Sequence, residues 1–408
     1  MRRVVVTGMA GLSPIGSDWN TIENNLRNGI TGIRYMADWE KYTELNTRLG
    51  APITDFERPA HYSRKDVRSM GRVALMSTRA TELALENAGL LGDERIQDGR
   101  MGVSYGSSTG SPDAIADFGN MLSNFSSSGI TANSYLKMMS HTAAVNIGVF
   151  FSLKGRVIPT SSACTSGSQG IGYAYEAIKY GHQDLMVAGG AEELCASEAA
   201  VFDTLYATST QNEHPERSPR PFDKDRDGLV IGEGACSLIL EEREHALARG
   251  ATIYAEIVGF GTNSDGSHVT QPEAETMYQA MCRALATAEL PAEHIGYISA
   301  HGTATDRGDI AESQATARLF GANTPISSLK SFTGHTLGAC GALEAMTTIR
   351  MMNLGWFHGT ANLVTVDPDC GDLDYLTGSG RDINAEFTVS NNFAFGGINT
   401  SLIFRKHE

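Results

Sequence analysis

Short apolar, β-branched runs alternate with helix-periodic runs along the chain, and this rhythm limits the possible folds more than any other feature. Val4-Val5-Val6 reads as a strand, and Ser17 to Arg27, with Trp19, Ile22 and Leu26 three and four apart, as the helix that follows. Val73 to Ala88 predicts a longer helix, and Gly102-Val103-Ser104 opens another strand. Leu185 to Gly190 and Cys236 to Leu240 are apolar enough for buried strands, and Glu241 to Arg249 predicts a charged helix ended by Gly250. The rhythm then restarts with strand Ile253 to Val258, helix Thr276 to Ala288 and strand Ile295 to Ala300. It closes with strands Phe387 to Ser390 and Ser401 to Phe404. Such alternation predicts an α/β fold on parallel sheets. A boundary near Gly250 divides it into 1–250 and 251–408, and without a low-complexity linker the two parts should share a broad interface.

Composition narrows the partners. A formal net charge of −15 over 408 residues disfavours nucleic acid and anionic membrane, because neutralising phosphates needs a basic surface. The six cysteines, Cys164, Cys195, Cys236, Cys282, Cys340 and Cys370, stand at least 30 residues apart. With no C-x-x-C pair, neither a zinc knuckle nor a disulfide framework is indicated, and a reducing compartment fits better. The apolar run near Met1 is too short for a signal peptide, and no run nears the ~20 residues of a spanning helix. The cytoplasm is the expected location.

Chemistry concentrates at three places. Cys164 stands in Ser161-Ser162-Ala163-Cys164-Thr165-Ser166-Gly167, between Val157-Ile158-Pro159 and a helical stripe of Ile171, Ala174 and Ile178. A strand, a small-residue turn and a helix put the thiol at a helix N-terminus, where thiolate is favoured and an N–H could hold an acyl oxyanion. The same segment would also suit a small buried cysteine at a strand–helix corner. His301 follows an apolar strand in Ser299-Ala300-His301-Gly302-Thr303, and His335 stands in Thr333-Gly334-His335-Thr336-Leu337-Gly338 before a helical run. Strand ends and helix starts in α/β folds face the ligand crevice. Either histidine alone would more often be a structural hydrogen-bond partner. Two framed by small residues point, with the cysteine, to acyl transfer. Lys330 is either a charge for that centre or a solvated surface lysine, and Glu312 and Glu344 are candidate ion-pair partners.

Two segments imitate other sites. Asp223-Lys224-Asp225-Arg226-Asp227-Gly228 resembles half a calcium loop, but Gly234 stands where the bidentate glutamate is needed. Thr7-Gly8-Met9-Ala10-Gly11 imitates a dinucleotide turn without its third glycine. Neither metal nor nucleotide cofactor is expected.

Taken together, the segment around Cys164, Pro221-Phe222-Asp223 to Gly234, His301-Gly302-Thr303, Lys330 to Gly338 and Asn391-Asn392-Phe393-Ala394-Phe395-Gly396-Gly397 resemble, in order, the motifs of the β-ketoacyl-acyl carrier protein synthases. The resemblance implies a thiolase-like fold, two similar α/β halves in an α-β-α-β-α body. It implies a dimer, either a homodimer or a heterodimer with a chain-length factor, and no cofactor. Cys164 would take an acyl chain from carrier-protein pantetheine, with the N–H groups of Cys164 and Phe395 as oxyanion hole. His301 and His335 would serve decarboxylation of malonyl-carrier protein, with Lys330 and Glu312 in support. Thr303 and Thr305 would hold the pantetheine arm. Phe395 would gate the acyl tunnel, facing a loop with Asp265 and His268.

Acyl carrier protein is acidic, so docking needs a local basic patch. Arg64, Lys65, Arg68 and Arg72 supply one, with Arg64, Arg68 and Arg72 expected on one helix face, and Lys65 and Arg68 match the family's docking positions. Several positions depart from fatty-acid elongation enzymes: Ala394 replaces glycine, Asp306-Arg307 replaces a proline after Thr305, Ser299 replaces asparagine, and Thr109 stands near the expected end of the acyl pocket. The chain is also similar to condensing enzymes of bacterial aryl polyene clusters. A non-decarboxylative thiolase would be expected to carry a second cysteine in the Asn391–Gly397 turn, and a scaffold subunit would lack Cys164.

Overall fold

The computed structural model describes residues 1–407. The first five long strands are β1 (Val4–Leu12), β2 (Met101–Gly106), β3 (Val157–Thr160), β4 (Leu185–Glu192) and β5 (Gly234–Glu242), arranged β3-β2-β4-β5-β1. The next six are β6 (Ala255–Ser264), β7 (Ile295–Ser299), β8 (Pro325–Ser327), the two-residue β9 (Asp374–Tyr375), β10 (Phe387–Ala394) and β11 (Ile398–Lys406), arranged β9-β8-β7-β10-β11-β6. With β9 set aside, each set runs third, second, fourth, fifth, first. The pairings match too: in each set the second strand is parallel to both its neighbours, and the remaining pairs are antiparallel. The two sets join where Val4, Val5 and Val6 pair with Ile257, Glu256 and Ala255.

Helices fill three layers around these sheets. α1 (Arg72–Asn87) and α2 (Thr142–Phe150) cover the outside of the first set. Between the sheets lie α3 (Ser166–Lys179) and, later in the chain, α7 (Cys340–Leu354), while α5 (Ala274–Ala288) and α6 (Asp306–Phe320) cover the second set. The short α4 (Ala196–Asp203) packs near Cys164. The central pair has little solvent face: α3 is buried at 11 of 14 residues and α7 at 12 of 15, so their small residues replace an amphipathic stripe. A Cβ on Gly190 would lie 2.0 Å from the Gly338 carbonyl oxygen, and one on Gly341 2.6 Å from Asn392 Oδ1. Glycine at these positions sets how closely the central layer approaches β4 and β10.

Three expectations need correction. The sheets are mixed, because β10 and β11 are joined by a tight turn rather than a crossover helix, which forces them antiparallel. The predicted helix from Glu241 begins only at Arg243: Glu241 is the partner of Val5 in β5 and turns inward to Thr7, His245 and Arg249. Arg64 to Ser69 form turns, and Arg72 opens α1 with its guanidinium on the buried Glu233 at 2.7 Å. Arg64, Arg68 and Arg72 therefore do not share a helix face, although Arg64, Lys65 and Arg68 are all exposed.

Candidate active site

Equivalent strand-to-helix connections of the two sets supply the cysteine and one histidine. After β3 the chain makes a 3-10 turn, Ala163–Thr165, before α3, and after β8 it makes another, Leu337–Ala339, before α7. Each turn opens on a non-glycine residue with positive φ, Ala163 at 49° and Leu337 at 44°. That left-handed backbone costs energy for residues carrying a Cβ, and here it turns both chains abruptly toward the same point. Cys164 occupies the first turn and His335 lies just before the second. Their side chains meet with Nε2 of His335 2.9 Å from Sγ of Cys164. His301, on the loop after β7, stands with its ring 5.3 Å from that of His335 and at 88° to it. The sulfur and one nitrogen of each ring all lie within 4.8 Å of one another.

The His301 loop is strapped to α6 by two buried carboxyls. Glu312 accepts the backbone N–H groups of His301 and Gly302, each at 2.7 Å, and Asp309 accepts those of Thr303 and Ala304 at 3.0 and 3.1 Å. Glu312 thus positions the loop and touches neither ring. Burial pushes it up to about 8, against the pull of those amides and of Lys330.

Lys330 is 1% exposed, so it is no surface lysine. It pairs with Glu344, whose second oxygen accepts Asn392 Nδ2 at 2.6 Å, and Asn392 reaches Nδ1 of His301 at 3.4 Å. Burial would lower the ammonium, but Cys340, Glu344 and Glu312 outweigh it and hold it above the ordinary lysine value. Burial, with the Lys330 charge next, holds both imidazoles well below the usual histidine range. Both rings are therefore neutral at physiological pH, each with one N–H to donate. A buried ammonium beside them also opposes a cation in the Cys164–His301–His335 cluster.

Cys164 departs from the expectation of a ready thiolate. Burial pushes its thiol up to about 11, although Lys330 and the N–H groups of Phe395 and Cys164 pull the other way. Desolvation outweighs the helix terminus. The resting pair is a thiol against a neutral imidazole.

A cavity of about 460 Å³ reaches this point, lined by Cys164, His301, His335, Phe202, Phe393 and Phe395. It also takes in Thr303 and Thr305, whose hydroxyls meet at 2.9 Å, and the exposed Arg307. Phe395 packs on Phe202 with ring centres 5.0 Å apart. Its turn is tied to the facing loop by Gly396 N–H to the Val269 carbonyl at 2.8 Å and by Asp265 N–H to the Gly397 carbonyl at 2.8 Å. Asp265 lines the cavity, whereas His268 is turned back to accept Thr270 N–H at 3.1 Å. The calcium imitation has another use: Asp223 accepts the N–H groups of Val364 and Thr365 at 2.7 and 2.9 Å, and Arg226 is buried against Asp367 and Asp306.

Sequence reasoning did not single out Asn392 or Glu192. Glu192 is fully buried and accepts Ser107 Oγ at 2.9 Å, Ser108 N–H at 2.7 Å and Gly338 N–H at 3.1 Å, so β4 holds the turn after His335. Its position, an acid at the end of an apolar strand run, is the available signal.

Comparison with known proteins agrees with this geometry. The model of the β-ketoacyl synthase N-terminal domain matches residues 1–246 and that of the C-terminal domain residues 254–364. The chain is 37% identical to 3-oxoacyl-[acyl-carrier-protein] synthase 2 of Vibrio harveyi, with 99% of each chain covered. The crystal structure of a β-ketoacyl synthase from Burkholderia phymatum STM815 superposes with a TM-score of 0.99 at 62% identity, covering both chains completely. The ishigamide ketosynthase/chain length factor superposes at 0.92 with 30% identity, again with complete coverage of both chains. The paired five-strand sheets around α3 and α7 are the thiolase-like fold, and the chain belongs to the β-ketoacyl synthase family.

Proposed function

We propose that this protein is a 3-oxoacyl-acyl carrier protein synthase, which lengthens an acyl chain by decarboxylative condensation with malonyl-carrier protein. The contact that carries this reading is Cys164 Sγ to His335 Nε2 at 2.9 Å, with the His301 ring at right angles beside it. The division of labour follows the 1–250 and 251–408 partition, supported by the repeated strand order: the first part brings the nucleophile, the second both imidazoles.

In the first step the thiol proton passes to His335 Nε2 as Sγ attacks the acyl thioester. The N–H groups of Cys164 and Phe395, which already face the sulfur, hold the oxyanion. The C–S bond to pantetheine breaks, and the departing thiolate takes the proton. Malonyl-carrier protein then enters past Thr303 and Thr305. Loss of CO₂ leaves its electron pair on the thioester as an enolate, whose oxygen takes the N–H of His301 and, once the neutral His335 ring has exchanged its proton from Nδ1 to Nε2, the Nε2–H of His335. The enolate carbon attacks the acyl group on Cys164, a C–C bond forms, and the cysteine thiolate leaves and takes a proton from solvent, the one proton the decarboxylative condensation consumes. Lys330, with burial, keeps both rings neutral, so that Nε2 of His335 is free to accept the thiol proton. This chemistry calls on no cofactor.

We assign Lys65 and Arg68 to docking of the acidic carrier, because both are exposed in a chain otherwise rich in acid. The cytoplasm, and a dimer with either a second copy or a chain-length factor, remain part of this reading, as does service in fatty-acid or aryl polyene elongation. Retention of Cys164, His301 and His335 disfavours a silent scaffold. The absence of a cysteine from Asn391–Gly397 disfavours a non-decarboxylative thiolase. The test is product formation from acyl- and malonyl-carrier protein: Cys164→Ala should abolish the β-ketoacyl product, and full activity in that variant would refute the mechanism.

A further inference from the structure

One buried acid near the site has no place in this mechanism. Glu198, in the first turn of α4, is 5% exposed. Its Oε1 accepts Thr109 Oγ1 at 3.0 Å, while Oε2 has no hydrogen-bond partner. The same Thr109 hydroxyl lies 3.2 Å from Glu192 Oε1, so two carboxyls share one donor. Leaving a buried carboxyl oxygen unpaired is costly, and such a group calls for a partner that binds there.

Its location indicates what that partner would be. Ala196, Ala199 and Phe202 of α4 join Ala163, Leu337 and Phe395 in the apolar cluster around Cys164. Phe202 lines the cavity, and Glu198 stands four residues before it, one helical turn away on the same face. An acyl chain on Sγ cannot share the Thr303–Thr305 side of the cavity with the pantetheine arm, and the apolar face of α4 offers the other direction.

We propose that Glu198 is the polar end wall of the acyl site and selects chains bearing a hydroxyl at the end remote from the thioester. This deepens the condensing-enzyme reading and rests on it. Burial, followed by the nearby Glu192, pushes the Glu198 carboxyl well above the usual range. A hydroxyl can donate to the unpaired Oε2, whereas a methyl cannot. A saturated alkyl terminus would leave Oε2 unpaired and bury itself against a polar group.

The experiment compares two carrier-loaded acyl chains of equal length, one ending in hydroxyl and one in methyl, in the wild-type protein, Glu198→Gln and Glu198→Leu. The expected result is a wild-type preference in kcat/KM of at least about tenfold for the hydroxylated chain, since a site built to hydrogen-bond a hydroxyl rejects its analogue strongly. The preference should shrink in Glu198→Gln and vanish or invert in Glu198→Leu. Elongation of both chains at equal efficiency by the wild type would overturn the end-wall proposal and leave the condensing reading standing. A preference undiminished in Glu198→Leu would also overturn it. No β-ketoacyl product from either chain, or from a short acetyl primer, would overturn both.

Discussion

The Cys164 thiol is held in its neutral form by burial, and its neighbours are arranged to take its proton only when a substrate arrives. The sign of the pH dependence follows directly. With the folded thiol raised to about 11, the thiolate fraction grows throughout the range below it. Iodoacetamide alkylation of Cys164 in the free enzyme should therefore accelerate by about tenfold per pH unit between pH 7 and 10. A plateau below pH 8 would mean that the helix terminus and Lys330 win over desolvation. The residues of this centre differ in how legible they were. Cys164, His301 and His335 stand out because small residues frame a reactive side chain at a strand end or helix start. Asn392, Glu344 and Glu192 have no such frame, and what they do depends on partners 48, 14 and 146 residues away. No local pattern carries that information.

At the scale of elements, the site exists because two strand-to-helix turns approach to backbone contact. Gly190 at the end of β4 packs directly on the second of these turns, with space for no Cβ against the Gly338 carbonyl. Backbone cannot yield as a flexible side chain can, so Gly190→Ala should destabilise the protein by about 1–3 kcal/mol. Displacing Gly338 would also move His335, three residues before it, so condensation should fall more than stability alone explains. Denaturant unfolding and product formation on the same preparation check both, and no change in either would contradict this packing. The sequence rhythm located most strands and helices, but not the repeated strand order, because pairing partners lie far apart in the chain. It also misplaced two segments. The ladder of β5 outweighed the helical charge pattern at Glu241, and the turns from Arg64 to Ser69 replaced a helix read from charge spacing alone.

For the whole molecule, a net charge of −15 repels an acidic carrier except where positive charge is concentrated. Changing Lys65 and Arg68 together to glutamate should raise the carrier-protein KM by about tenfold at low salt, with the effect shrinking as salt screens it. Alkylation of Cys164 should be unaffected, and an unchanged KM would remove the patch from the docking surface. The central claim is that sulfur and imidazoles from the two parts of the chain act in sequence on one acyl group. Intact-protein mass spectrometry of His301→Ala beside the wild type tests it most directly. After incubation with acyl-carrier protein both should gain the acyl mass on Cys164. On addition of malonyl-carrier protein the wild type should lose that mass into β-ketoacyl product, while His301→Ala should retain it. A wild-type protein that never carries the acyl group, or a His301→Ala protein that discharges it at the wild-type rate, would contradict the account.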